Sequence, residues 1–258
     1  MIDLVAGPWI GEFGWELCAW QGVIRAMAPQ YKKIIIYGRP GHQYLYEDFA
    51  NEYVEFTPQG TDPNMWMNDG TKFEFVIQHK RALWIKPQQF SFMPNAPEQV
   101  YSRYGINAER TAIAYHARSL EKYGSGYMNW DSKNWKDLID RYSNKDVICI
   151  GAKEGASYAG GEDLRGASLE ATCNALSRCS VLVGPSSGAM HLGSLCNTPH
   201  VVWSGHIKNK VRYETYWNPF NTPVTAICPE HSPWDAQIIW QPKTREIADE
   251  MEKLLCAA

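Results

Sequence analysis

The densest chemical signal in the chain is the run Val181-Leu182-Val183-Gly184-Pro185-Ser186-Ser187-Gly188-Ala189-Met190-His191-Leu192. An apolar strand runs into small residues and two hydroxyls, and then into a helix. The first N–H groups of a helix have no partner inside it, and the helix dipole adds positive charge there, so such a start holds phosphate well. Ser186 or Ser187 adds hydroxyl donors to a pyrophosphate, Gly188 permits its close approach, Gly184 opens the donor-binding run, and His191 either points at the phosphates or packs. A serine-capped helix without a ligand accounts for the same residues.

Three further apolar runs end in groups of this kind. Tyr115-His116-Ala117-Arg118-Ser119 offers Arg118 as a phosphate clamp, with His116 either catalytic or a buried structural histidine. Gly151 and Ala152, with Lys153, end another strand, where a nucleotide base can rest against backbone groups. Lys208, Lys210, Arg212 and Tyr213 follow a fourth, and either neutralise a leaving diphosphate or form a solvated cluster. Ligands of open parallel sheets bind beyond the carboxyl ends of the strands, where all these residues fall. These loops hold no D-x-D sequence, so basic residues and a helix dipole, without a metal or other cofactor, are expected to balance the charge.

The elements that must position these groups alternate strand with helix, which predicts an α/β fold of two doubly wound parallel sheets. Strands are expected at 2–6, 33–37, 53–57 and 73–78, with a glycine-rich loop at 7–14 and helices at 15–27 and 43–50. Proline-rich sequence between 87 and 108 suits a crossing, placing the domains at 1–109 and 110–258. The second half predicts strands at 111–116, 146–150, 181–183 and 200–203. Its helices are expected at 131–142, capped by Asp131, at 168–178, capped by Ser168, and at 189–196, with a terminal helix over 243–256.

The 258 residues are 45% apolar and 21% charged, which allows a sizeable core and argues against disorder. A net charge of −3 supplies no general attraction for nucleic acid or anionic lipid. No apolar run reaches the roughly 18 residues of a membrane span, and residues 1–6 pass straight into a glycine-rich turn, so no membrane insertion and a cytoplasmic location are expected. Seven cysteines without a C-x-x-C pair read as reduced, mostly buried thiols. The eleven tryptophans and fourteen tyrosines exceed what a plain core requires and are of the type that stacks on sugars or bases.

Asp163-Leu164-Arg165-Gly166-Ala167-Ser168-Leu169, then Leu176-Ser177-Arg178-Cys179, the Gly184 to His191 run and Thr198-Pro199 together resemble the heptosyltransferase-type glycosyltransferases in order and spacing. The resemblance implies a GT-B fold of two facing Rossmann-like domains, a nucleotide-sugar donor on the second, and transfer with inversion. Asn129-Trp130 looks like the family's basic-residue-Trp segment, but Met128 and Asn129 stand where Lys and Arg are usual, with Arg118 and Lys122 near enough to substitute. Ser186 stands where the family often has Asp, so the donor need not be an ADP-heptose.

The stretch Gly7-Pro8-Trp9-Ile10-Gly11-Glu12-Phe13-Gly14-Trp15-Glu16 resembles the family's first loop, which implies a carboxylate base for the acceptor hydroxyl. Glu12 is favoured because glycines lie on both sides of it, while Glu16 falls in the first helical turn and suits the dipole there. Trp9, Gly11, Trp15, Arg39 and His42 are the expected acceptor-binding residues. The acceptor is either a glycan or a hydroxylated base of viral DNA, for which Lys80, Arg81, Trp84 and Lys86 offer a nucleic-acid strip or merely a solvated loop. Two other readings keep the fold: a nucleotide-sugar epimerase, and a noncatalytic module binding nucleotide sugar or nucleic acid. The oligomeric state is not legible.

Overall fold

Apolar runs bounded by glycine build the first sheet. A computed structural model describes residues 1–9, 11–57, 82–85, 97–120, 128–231 and 240–257. They divide into two compact units, Met1–Ser102 and Arg103–Ala258. In the first, β1 (Asp3–Trp9) pairs in parallel with β2 (Ile34–Gly38), β2 with β3 (Glu52–Glu55), and β1 with β4 (Ala82–Ile85), giving the order β3-β2-β1-β4. Both central strands are apolar at nearly every position, as expected where a parallel sheet is covered on both faces. Two helices follow β1: α1 (Phe13–Ala19) and α2 (Gln21–Met27). The single expected helix is interrupted at Trp20, whose φ of −132° and ψ of −67° leave the helical region. Trp20 is fully buried and stacks on Trp9 at 5.3 Å, so packing of the indole overrides helix continuity.

The second unit carries six parallel strands: β5 (Ala112–Tyr115), β6 (Val147–Cys149), β7 (Glu162–Asp163), β8 (Cys179–Pro185), β9 (His200–Trp203) and β10 (Val224–Ile227). Their order is β10-β9-β8-β5-β6-β7, so the chain winds outward from β5 one way, then returns to wind the other way from β8. That reversal between β5 and β8 is the doubly wound switch point. Successive side chains alternate between faces. Ile113, Val181, Val183 and Val201 pack with Trp135 of α3 (Ser132–Arg141) and Met251 of α7 (Thr244–Ala257). Opposite them, Leu182 lies against α5 (Gly188–Leu195), where a Cβ on Gly193 would come within 2.8 Å of it. Asp131 caps α3 by accepting from the Lys133 N–H at 2.7 Å, and Ser168 caps α4 (Leu169–Ser177) through Ala171 at 3.1 Å, each worth about 1 kcal/mol.

Several boundaries differ from expectation. The units divide after Ser102 rather than near 110, because Tyr104 donates to the Leu195 carbonyl and Ile106 to the Ser177 hydroxyl, tying this segment to the second unit. A 3₁₀ turn, Gln43–Leu45, replaces the helix expected at 43–50. Trp84 belongs to β4 rather than to a loop. The aromatic stretch after β9 contains α6 (Ile207–Val211), a π-helical turn at Arg212–Tyr216, and β10. The strand expected at 73–78, with Lys80, Arg81, Lys86 and Lys122, lies outside the described residues. Most of the aromatic surplus fills interiors: Trp9, Trp20, Trp135 and Trp217 are fully buried.

Candidate functional site

At the switch point of the second unit, β5 leads into His116, and β8 ends in Gly184-Pro185 and leads into Ser186-Ser187. Two backbone bonds fix the strand ends in register: His116 N–H donates to the Val183 carbonyl at 2.9 Å, and Ser186 N–H to the Trp203 carbonyl at 2.8 Å. The His116 ring then reaches over, placing Nδ1 3.0 Å from the Ser187 hydroxyl oxygen. Gly184 permits this approach, since a Cβ there would sit 3.0 Å from the His116 carbonyl oxygen and 2.8 Å from the Met190 sulfur. Gly151 does the same from β6, with a Cβ that would come within 2.8 Å of the His116 ring, and its φ of +125° favours glycine in any case. Its carbonyl accepts from Gly166 and that of Ala152 from Gly155, so the two carbonyls hold the loop together.

Ser187 occupies the N-cap position of α5 without making a side-chain cap, because its hydroxyl is directed to His116. The N–H groups of Met190 and His191 turn back to the Ser187 carbonyl. Those of Gly188 and Ala189, and the Ser186 hydroxyl, have no partner among the described residues. Two N–H donors on half-buried residues thus lie at the positive end of a helix and at a switch point, an arrangement whose chemistry suits an anion.

Tyr213, in the π-helical turn, holds this tip from behind. Its hydroxyl accepts from the Ser187 N–H and donates to the Ser187 carbonyl, both at 3.0 Å. His191 stacks on the Tyr213 ring at 4.0 Å and meets Trp217 edge-on at 4.6 Å, with only 4% of its surface exposed. Of the two roles open to it, the structure assigns packing: burial, then the Arg212 charge, pushes its pKa well below the ordinary value and keeps it neutral. Burial, then Arg118, likewise lowers His116 to about 4. A neutral imidazole shares one proton with Ser187 and offers no charge to a phosphate.

The basic residues are distributed around the sheet edge. Arg118 donates to the Leu120 carbonyl at 2.8 Å and to Asn129 Oδ1 at 2.6 Å. Asn129, standing where a basic residue is usual in the resemblance, thus orients the nearby guanidinium. Arg212 lies over the Trp217 ring at 4.8 Å, and Lys210 pairs with Glu214 at 3.7 Å on the surface. Lys122 falls outside the described residues.

In the first unit the expected residues separate into core and edge. Trp9 is fully buried against Trp20 and Trp15 is 8% exposed, so the expected acceptor platform at Trp9 is corrected to a core residue. Gly11 is buried as well, while Glu12 is exposed at the N-cap position of α1. Glu16 is not a surface charge at a helix start: it has no exposure, and both of its oxygens are engaged. His42 Nδ1 lies 2.7 Å from Oε2, and the Tyr46 hydroxyl donates to Oε1 at 2.9 Å. Arg39 contributes its carbonyl to the Tyr53 hydroxyl at 2.7 Å. Sequence reading missed Tyr46, which stands 30 positions from Glu16 with no spacing signal to mark it.

Because the Tyr213 hydroxyl satisfies two Ser187 backbone groups at once, Tyr213→Phe should leave a half-buried N–H unpaired. A loss on the order of 1–2 kcal/mol of stability is expected, read as a lower melting temperature. An unchanged melting temperature would show that the tip is held by something other than this hydroxyl.

No protein-family model matches the sequence, and no curated protein matches it. Solved structures do. The glycosyl transferase family 9 protein from Veillonella parvula DSM 2008 has a TM-score of 0.64 at 11% identity, over 99% of this chain and 97% of that one. E. coli heptosyltransferase WaaC with ADP has a TM-score of 0.61 at 11% identity, over 98% of this chain and 100% of that one. E. coli ADP-heptose LPS heptosyltransferase II has a TM-score of 0.58 at 13% identity, over 100% and 99% of the two chains. The likeness is one of fold, and the fold is the GT-B arrangement of Rossmann-like parallel-sheet units found in heptosyltransferases.

Proposed function

We propose that the chain is a glycosyltransferase that moves a sugar from a nucleoside diphosphate sugar to a hydroxyl acceptor with inversion at the anomeric carbon. The observation that carries this reading is the tip of α5 at the β5/β8 switch point, where Gly188 and Ala189 N–H groups are left for a diphosphate. Ser186 adds a hydroxyl donor, and Arg118, three residues beyond β5, and Arg212, in the segment after β9, are the proposed cations. As the diphosphate leaves it gains charge, and fixed donors aimed at it stabilise the transition state more than the ground state. The helix dipole and guanidinium groups are proposed to do this without a divalent cation.

ADP-heptose is the first donor to test, since two similar structures carry ADP or ADP-heptose in their descriptions. A glycan hydroxyl is the proposed acceptor. Among the described residues no helix is long and apolar enough to cross a membrane. Seven free cysteines fit a reducing, cytoplasmic setting. Incubation with ADP-heptose or UDP-glucose and candidate glycans, followed by mass spectrometry, should show a glycan gaining one sugar as nucleoside diphosphate is released. A new nucleotide sugar formed from donor alone would instead mark an epimerase, and binding without turnover a noncatalytic module.

A further inference from the structure

Within the second unit, the Ser187 hydroxyl stands between two partners. The Ser187 backbone is extended, with φ of −163° and ψ of 169°, as at an ordinary N-cap, whose side-chain oxygen accepts from the second or third N–H of its helix. Ser168 does this at the start of α4, taking the Ala171 N–H at 3.1 Å. Ser187 holds the same position before α5 and makes no such bond, because its oxygen lies 3.0 Å from His116 Nδ1. The Ala189 N–H, the second of the helix, is left without a partner among the described residues.

A rotation about one side-chain bond separates the two arrangements. The Tyr213 hydroxyl engages both the N–H and the carbonyl of Ser187 at 3.0 Å, which fixes the backbone and leaves χ1 to move the hydroxyl between staggered positions. The imidazole decides between them. His116 is 7% exposed, and backbone closes on it from two sides. A Cβ on Gly151 would come within 2.8 Å of the ring, and one on Gly184 within 3.3 Å of the His116 Cβ. So confined, Nδ1 stays where the Ser187 hydroxyl meets it.

Resting on the transferase reading above, we propose that His116 is a positioning residue of the diphosphate site: it holds the Ser187 hydroxyl off the Ala189 N–H and so leaves that donor for the ligand. Without the imidazole, the hydroxyl turns onto its own helix and occupies the donor as an internal cap. A nucleotide must then displace a cap of ordinary strength, which weakens its binding about fivefold. In this role His116 acts through Ser187 and makes no contact of its own with the diphosphate.

A double-substitution cycle on the full chain, with ADP as the probe in calorimetric titrations, tests whether the effect of His116 passes through Ser187. His116→Phe, which keeps a ring between the two glycines, should weaken ADP binding about fivefold. The same substitution in the Ser187→Ala background should change the affinity by less than about twofold, because no hydroxyl is left to turn. His116→Asn, with a hydrogen-bonding atom where Nδ1 stands, should recover most of the affinity that His116→Phe loses. No loss in His116→Phe, or equal losses with and without the Ser187 hydroxyl, would overturn the proposal and leave the transferase reading standing. Wild type that does not bind ADP would overturn the transferase reading itself. Hydrogen exchange of backbone amides tests the arrangement with no ligand, and in the wild type with no substitution. The Ala189 amide should exchange faster than the Ala171 amide, which Ser168 caps, and should slow in His116→Phe. A wild-type Ala189 amide as protected as that of Ala171 would overturn the proposal.

Discussion

Lowering the pH from 7 to 4.5 is expected to bring the melting temperature down by roughly 10 °C or more, because the second unit buries three histidines in their neutral form. Burial lowers His116 and His200 to about 4, with Arg118 adding to the effect at His116, and His191 lies well below its ordinary value. In the unfolded chain all three return to an ordinary value near 6.5. Between about pH 4 and 6.5 the unfolded state therefore binds more protons than the folded one. Stability is complete above that window and is lost as the pH falls through it. At 1.36 kcal/mol for each tenfold change in proton concentration, His116 and His200 stand to contribute on the order of 3 kcal/mol each. That is a large part of the roughly 5–15 kcal/mol that holds an ordinary domain folded. Replacing His191 by Phe, which keeps a ring against Tyr213 and Trp217, should flatten the decline. A melting temperature unchanged between pH 7 and 4.5 would mean that these imidazoles reach water in the folded state.

Gly184→Val is expected to weaken ADP binding at least about tenfold, the effect of overpacking by 1–3 kcal/mol at a point that shapes the site. The first added carbon would stand 3.0 Å from the His116 carbonyl oxygen and 3.3 Å from its Cβ. His116 must retreat, and its contact with the Ser187 hydroxyl at 3.0 Å goes with it. Ser187 is then free to turn its oxygen onto the N–H groups of its own helix and compete with the anion. Gly193→Ala provides the comparison, because its Cβ would crowd Leu182 at 2.8 Å in the body of α5, away from the tip. It should lower thermal stability while leaving ADP affinity in the folded protein unchanged. Equal affinity losses in both variants, measured by calorimetry, would show that the tip is not the site.

Local features carried through from sequence to structure where the deciding interaction is itself local. The Asp131 and Ser168 caps need only residues two or three positions away, and β8 with α5 is an apolar run ending in small residues. Alternating strands and helices marked the second sheet as parallel, with ligands expected beyond strand ends such as those at His116 and Gly184, whereas the strand order that makes this pair the switch point appears only in the fold. Contacts made across the fold were not legible. Ser187 meets His116 across 71 positions and Tyr213 across 26, and Glu16 meets His42 across another 26. In each case the partner depends on which strands become neighbours. Glu16 is the clearest example: the first helical turn suggested a charge at a dipole, whereas pairing of β1 with β2 buries it beside an imidazole. Trp9 and Trp20 illustrate the converse, since aromatic rings that suit a sugar platform also suit a core, and burial decides between them.

The central claim is that the N–H groups of Gly188 and Ala189 grip the diphosphate of a nucleotide. Titrating ADP into nitrogen-15-labelled protein and following the backbone amides tests it most directly. The account predicts that Gly188 and Ala189 shift with the largest amplitude and saturate together with the calorimetric binding curve. ADP that binds without moving those two amides, or that shifts amides at the opposite edge of the sheet instead, would contradict it.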